Sequence, residues 1–95
     1  MNTQEILNNA IAKYGVTAQT VMVMEEMSEL QKELCKNLRG RMNSDLIAEE
    51  IADVEIMLAQ MKIIHGCAAT VEVIKDRKLR RLAGRIGMLI PEVDT

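Results

Sequence analysis

The sequence of 95 residues contains no phenylalanine and no tryptophan, and Tyr14 is its one aromatic residue. One proline and five glycines are the main residues that interrupt regular structure, so long uninterrupted elements are expected. The apolar residues are mainly leucine, isoleucine, alanine and eight methionines, which suit helices better than strands. This composition and length predict an all-α fold in a single domain.

An excess of positive charge is also missing. The formal net charge is −2, whereas a protein that binds a nucleic-acid polymer is normally clearly basic. No apolar run reaches the length of a membrane span, and the N-terminus lacks the basic segment of a signal peptide. We therefore expect no nucleic-acid polymer and no membrane among the partners, and a cytoplasmic location.

The two cysteines lack the paired spacing of a metal site. Cys35 and Cys67 lie far apart in the sequence, with a single histidine elsewhere in the chain. A structural zinc site normally needs four ligands in close pairs, so zinc is not expected. Both residues are predicted to be reduced thiols in the core of a cytoplasmic protein.

Glycines divide the chain into four segments, and a residue type that caps helices precedes each segment. The predicted helices cover residues 4–14, 18–38, 45–65 and 71–86. Their predicted N-caps are Thr3, Thr17, Ser44 and Thr70. A polar tail over residues 87–95, which contains Pro91, follows the last helix.

The third segment is apolar on nearly every helical face. Leu46, Ile51, Val54 and Leu58 follow a helical period, and other apolar side chains fall between them. A helix of this kind is buried on several sides, which four short helices do not readily achieve alone. We therefore expect a four-helix bundle with a central antiparallel hairpin, completed by a second copy of the chain.

Two pairs of acidic residues flank the turn between the second and third helices. Glu26 and Glu29 form one pair, and Glu50 and Asp53 form the other, each with the i, i+3 spacing of one helical face. Both pairs are equidistant from a point beside Gly40. In an antiparallel helical hairpin, Glu26 should therefore face Asp53, and Glu29 should face Glu50.

Four facing carboxylates would repel one another strongly inside a bundle. Protonation relieves part of that repulsion by raising their pKa values. A Mg²⁺ ion relieves it better, because it prefers carboxylate oxygens and leaves positions open for water and phosphate, and Mn²⁺ can replace it. The alternative is that the acids are ordinary solvated residues, as most such pairs are.

These acidic motifs resemble those of the MazG-type nucleotide pyrophosphohydrolases. Glu25-Glu26-Met27-Ser28-Glu29 matches the family pattern E-E-x-x-E, and Glu50-Ile51-Ala52-Asp53 matches E-x-x-D. The resemblance extends over about residues 17–86. It implies an all-α fold in dimers or tetramers, with Glu26, Glu29, Glu50 and Asp53 as catalytic ligands of Mg²⁺.

A basic segment of the fourth helix is similar to a later motif of the same family. The segment begins at Asp76, where the family usually has asparagine, and continues through Lys78 and Arg81. The resemblance implies that Lys78 and Arg81 contact a triphosphate, with Asp76 as a further candidate contact. Tyr14, on the first predicted helix, is the one aromatic candidate for stacking on a base, and its alternative role is that of a packing residue with its hydroxyl at the surface.

The resemblance also implies the reaction, which is hydrolysis of a nucleoside triphosphate, or its deoxy form, to the monophosphate and pyrophosphate. Within the same superfamily, a phosphoribosyl-ATP pyrophosphohydrolase would use the same acids. An alternative from another functional class is a non-catalytic helical homodimer whose acids are merely exposed.

Overall fold

A computed structural model describes residues 2–88, which form four α-helices and no strand. The all-α prediction is therefore confirmed for this part of the chain. Of the predicted tail 87–95, the residues from 89 onward, with Pro91, lie outside the described residues. The helices are α1 (Thr3–Tyr14), α2 (Val16–Leu38), α3 (Ser44–Ile64) and α4 (Ala68–Arg85).

The predicted N-caps are wrong, because every helix begins one to three residues earlier. Asn2 caps α1, and its side-chain oxygen accepts a hydrogen bond of 2.7 Å from the Glu5 N–H. Gly15, Asn43 and Cys67 precede the other three helices, where no side chain among the described residues caps the helix. The residues expected as caps lie instead in the first helical turns: Thr3, Thr17, Ser44 and Thr70.

The turn between α2 and α3 reverses the chain within five residues, Arg39–Asn43. Gly40 adopts φ +97°, a left-handed conformation that residues with a Cβ rarely adopt. The Arg41 N–H donates to the Lys36 carbonyl at 3.1 Å, and the Gly40 N–H donates to the Asn37 carbonyl at 2.9 Å. This is the Schellman pattern, which ends α2 sharply and directs the chain back along it.

α3 is the central helix, because it contacts each of the other three. Its most extensive contact is with α2. α1 packs against both α2 and α3, whereas α4 contacts α3 alone. The expected burial of α3 within a bundle completed by a second copy stays a prediction, because Leu46, Ile51, Ile56 and Leu58 are exposed in the single chain. The buried apolar side chains are few among the described residues: Leu7, Val23, Val54 and Met57.

The cysteine prediction is confirmed in one respect and wrong in another. Cys35 and Cys67 are both free thiols. Cys35 is exposed on α2 rather than part of the core, and Cys67 is half-buried. Cys35 lies away from the helical face that meets α3, so burial does not reach it.

Among residues 2–88 no single helix has the length and apolar character of a membrane span. α3 and α4, taken together as a pair bent by 120°, satisfy the criteria of length and composition.

We predict that Met57→Ala lowers the free energy of unfolding by about 2–4 kcal/mol, because it opens a cavity between α2 and α3. Met57 is 7% exposed, whereas Met42 in the turn is 99% exposed. Met42→Ala is therefore the matched control, and it should change stability by less than about 0.5 kcal/mol. Urea denaturation at one protein concentration measures both, and equal losses would contradict this view of the core.

Candidate metal centre

Three carboxylates converge between α2 and α3. One oxygen atom from each of Glu26, Glu50 and Asp53 lies within 4.8 Å of the other two. Glu26 and Glu50 are half-buried, and Asp53 is exposed at the rim of the cluster. The hairpin therefore forms an acidic cluster, by which we mean these three residues, that opens to solvent on one side.

The register of the hairpin agrees with the predicted one. One carboxylate oxygen of Glu26 lies within 4.8 Å of one of Asp53. Gln19 and Gln60, which are equidistant from the same point beside Gly40, are joined by a hydrogen bond of 2.6 Å. The prediction that Glu26 faces Asp53 is thus confirmed, because one antiparallel alignment accounts for both contacts.

Glu29 is not a member of the three-residue cluster, although the sequence predicts four acids together. It is exposed on α2, one turn from Glu26. Its negative charge nevertheless raises the pKa values of Glu26 and Glu50, so it lies close enough to act on both electrostatically. Glu29 therefore lies beside the cluster, on the same side of the hairpin.

The surroundings of the cluster disfavour two of its negative charges. Burial raises the pKa of Glu26 above its ordinary value, and the charge of Asp53 is the next cause. Burial also raises the pKa of Glu50, followed by the charges of Asp53 and Glu29. Both shifts have the direction expected for carboxylates that lose water and face like charges.

Glu50 carries the clearest sign of a missing partner. Its Oε2 atom is inaccessible to solvent and has no hydrogen-bond partner among the residues that the structure describes. No ion pair between described residues includes Glu50. An unpaired buried carboxylate oxygen is costly, so native proteins normally give it a donor or a cation.

The donor atoms of the cluster are of the type that a hard divalent cation takes. Its donors are carboxylate oxygens, which Mg²⁺, Mn²⁺ and Ca²⁺ prefer. Adjacent oxygens bound to Mg²⁺ at about 2.1 Å lie about 3 Å apart, so the three carboxylates would have to move closer together to bind one ion. Glu26, Glu50 and Asp53 are therefore the residues that would hold such an ion, with Glu29 within one turn.

The sequence patterns did not predict the buried polar residues on either side of the cluster. Gln19 and Gln60 lie on one side, towards the N-terminus of α2. Asn43 lies on the other, where its side-chain amide donates to the Glu33 carbonyl oxygen at 2.9 Å. A spacing of seven residues from Gln19 to Glu26 to Glu33 was the available signal, since it places all three on one helical face.

The structure does not bring the predicted phosphate contacts to the cluster within one chain. α4 meets α3 near Glu55 and Leu58, which lie about 140° around the helix from Glu50 and Asp53 respectively. The predicted contacts Lys78 and Arg81 are exposed farther along α4, and α4 contacts no helix of the described chain except α3.

The remaining predicted substrate residues are also outside the cluster. Asp76 accepts a hydrogen bond of 3.0 Å from the Arg80 Nε atom, so its carboxylate is engaged within α4. Tyr14 is exposed at the end of α1, and the Lys13 ammonium lies 5.5 Å from the centre of its ring. The cation–π contact orients the ring at the surface without burying it.

We predict that Glu50→Gln raises the melting temperature (Tm) of the protein in EDTA at pH 7.5. Folding raises the pKa values of Glu26 and Glu50 above the ordinary value of 4.5, so ionisation of these groups opposes folding. Their stabilising contribution is complete below about pH 4.5 and is lost as the pH rises through the raised values.

The gain from Glu50→Gln should therefore shrink as the pH falls towards 4.5. Glu55→Gln, on another face of α3, is the matched control and should show no such dependence on pH. Melting curves followed by circular dichroism over this range measure the effect. A variant that melts below the parent at pH 7.5 would contradict repulsion within the cluster.

Comparison of this chain with family models, with curated proteins and with solved structures finds no match. The resemblance of the acidic motifs to the MazG type therefore stays a prediction.

Proposed function

We propose that this protein is a Mg²⁺-dependent nucleoside triphosphate pyrophosphohydrolase, which converts a nucleoside or deoxynucleoside triphosphate to the monophosphate and pyrophosphate. The observation that carries the proposal is the buried Oε2 atom of Glu50, which has no partner among the described residues, within a cluster of three facing carboxylates. The convergence of these acids across two packed helices supports a common site over separate solvated side chains. The motif resemblance supplies the class of reaction.

The chain's own residues have two tasks in this reaction. Glu26, Glu50 and Asp53 would hold the ion with their carboxylate oxygens, and Glu29, one turn away on α2, would be a further ligand. An ion held there would neutralise phosphate charge and would make water more acidic at the site of attack. A carboxylate oxygen that is not used to bind the ion would accept the proton of the attacking water, as a general base does.

The bonds that change are few. The oxygen of a water molecule adds to a phosphorus atom, and the bridging bond between the α and β phosphates breaks. Pyrophosphate leaves, and the proton of the water passes to a base. No oxidation occurs, so the carboxylates, the ion and basic contacts to phosphate are sufficient.

We assign the phosphate contacts, Lys78 and Arg81, to the α4 helix of a second copy of the chain. In one chain, α4 packs on a face of α3 turned away from the acidic cluster. Every residue of α4 remains at least partly exposed, so the helix is available to a partner. Asp76 and Tyr14 are secondary candidates that the same contact would bring to the substrate.

Exposed apolar side chains support a homodimer or homotetramer, because a second copy would cover them. Beside the stripe of α2 that faces α3, an exposed apolar row continues along the helix: Met24, Met27, Leu34 and Leu38.

We also place the protein in the cytoplasm. Cys35 and Cys67 are free thiols, the usual state of cysteine in a reducing compartment. A nucleoside triphosphate is the proposed substrate, and no membrane or nucleic-acid polymer is a proposed partner.

We predict release of pyrophosphate from at least one member of a panel of nucleoside and deoxynucleoside triphosphates in the presence of Mg²⁺. Glu50→Gln should lower kcat by about 100-fold or more, because the charge that faces the ion is removed. Circular dichroism should show that this variant remains folded. Glu55→Gln is the matched control and should retain turnover, since Glu55 lies on another face of α3.

Millimolar Mn²⁺ should also raise the Tm of the parent protein but not that of Glu50→Gln, and EDTA should reverse the increase. Full turnover in Glu50→Gln would remove Glu50 from the reaction. Absence of both turnover and metal-dependent stabilisation in the parent would favour the alternative, a non-catalytic helical homodimer.

We predict that two inactive variants restore each other's activity when they are co-expressed. Glu50→Gln lacks a ligand, and the double variant Lys78→Ala/Arg81→Ala lacks the phosphate contacts. In a mixed symmetric dimer, one composite site contains both intact sets, so random pairing should recover about a quarter of the parent activity. Light scattering should give at least twice the monomer mass. Failure to recover activity in verified mixed dimers would place α4 in the site of its own chain.

A further inference from the structure

We propose that the buried pair Gln19 and Gln60 positions the carboxylates by fixing the rotation and register of α3 against α2. The proposal has two parts. The effect on register stands on the geometry of the hairpin alone, and the effect on metal affinity rests on the proposed function. Neither glutamine belongs to the acidic or the basic motif.

The pair is buried and closely bonded. Gln19 is 6% exposed and Gln60 is 4% exposed. The Gln19 side-chain amide donates to the Gln60 side-chain oxygen at 2.6 Å, and the Gln60 amide is directed at the Met57 sulfur at 3.8 Å. This hydrogen bond tolerates little movement of α3 against α2, because a shift of either helix would leave two buried amides unpaired.

The apolar side chains of the hairpin are poorly suited to fixing the rotation and register of α3 against α2. Only Val23, Val54 and Met57 are both apolar and buried between α2 and α3. Methionine is flexible and adapts to altered surroundings, and aliphatic contacts have little directional preference. A rotation of α3, or a slip by one turn, would therefore change the apolar packing less than it would change the glutamine pair.

The acidic cluster lies between two polar contacts. On the turn side, Asn43 bonds the Glu33 main chain at 2.9 Å and accepts from the Asn37 amide at 3.2 Å. On the other side is the glutamine pair, seven residues from Glu26 along α2 and seven from Asp53 along α3. The Asn43 contact and the glutamine pair hold α3 against α2 at two places. The glutamine pair therefore helps to set the distance between the carboxylates that lie between these two places.

The test replaces both partners at once by residues of similar shape. Gln19→Met/Gln60→Met removes the hydrogen bond without leaving an unpaired amide, so the Tm should equal or exceed that of the parent. Gln4→Met, at an exposed position of α1, is the matched control for the same chemical change. Both variants are studied in the full chain.

Register is read without metal by NMR. The Thr20 hydroxyl oxygen lies 4.0 Å from the Met61 sulfur, so the methyl groups of these residues should show a nuclear Overhauser effect in the parent. In the double variant this signal should weaken by at least half or split into several sets. Affinity for Mn²⁺, titrated by the EPR signal of the free ion, should fall by about tenfold or more.

A double variant that keeps one set of signals and the parent's affinity overturns the proposal. An unfolded double variant also overturns it, because the pair would then supply stability rather than register. If the parent binds no Mn²⁺, the proposed metal centre is refuted, and the NMR result alone decides whether the pair fixes the register.

Discussion

Repulsion between carboxylates across the α2–α3 hairpin is the main obstacle to this arrangement of helices. One carboxylate oxygen from each of Glu26, Glu50 and Asp53 lies within 4.8 Å of the other two. Left to themselves, like charges in partly buried positions push helices apart. The fold must therefore supply enough attraction elsewhere along the hairpin to keep the acids together, and an ion in the cluster would convert the repulsion into attraction.

That attraction comes from an interface that is polar to an unusual degree. Between α2 and α3 the buried residues include Gln19, Glu33, Asn43 and Gln60 beside only three apolar side chains. Directional hydrogen bonds specify a single alignment, whereas burial of aliphatic groups mainly stabilises contact. The hairpin thus gives up some hydrophobic stabilisation in the region where geometry matters most for the acidic cluster.

The hydrophobic surface that one chain leaves uncovered is the counterpart of this polar interface. Apolar residues such as Met27 and Leu34 stay exposed beside the hairpin seam, and no residue of α4 is buried. A second copy that covers these surfaces would supply the missing hydrophobic stabilisation. In the proposed assembly the same contact completes the site, because it brings basic residues of α4 towards the carboxylates of the other chain.

Sequence patterns were sufficient to predict the four helices, the turn at Gly40 and the register that sets Glu26 opposite Asp53, because helical periodicity and a short turn are local properties. They were not sufficient to predict the helix starts, since Thr3 and Ser44 fit equally well within a first turn. The packing of the helices was needed to show that Glu29 lies beside the cluster, that the Glu50 Oε2 atom is buried without a partner among the described residues, and that α4 turns away from both. These features depend on how helices cross and what they bury, which residue spacing along one chain does not encode.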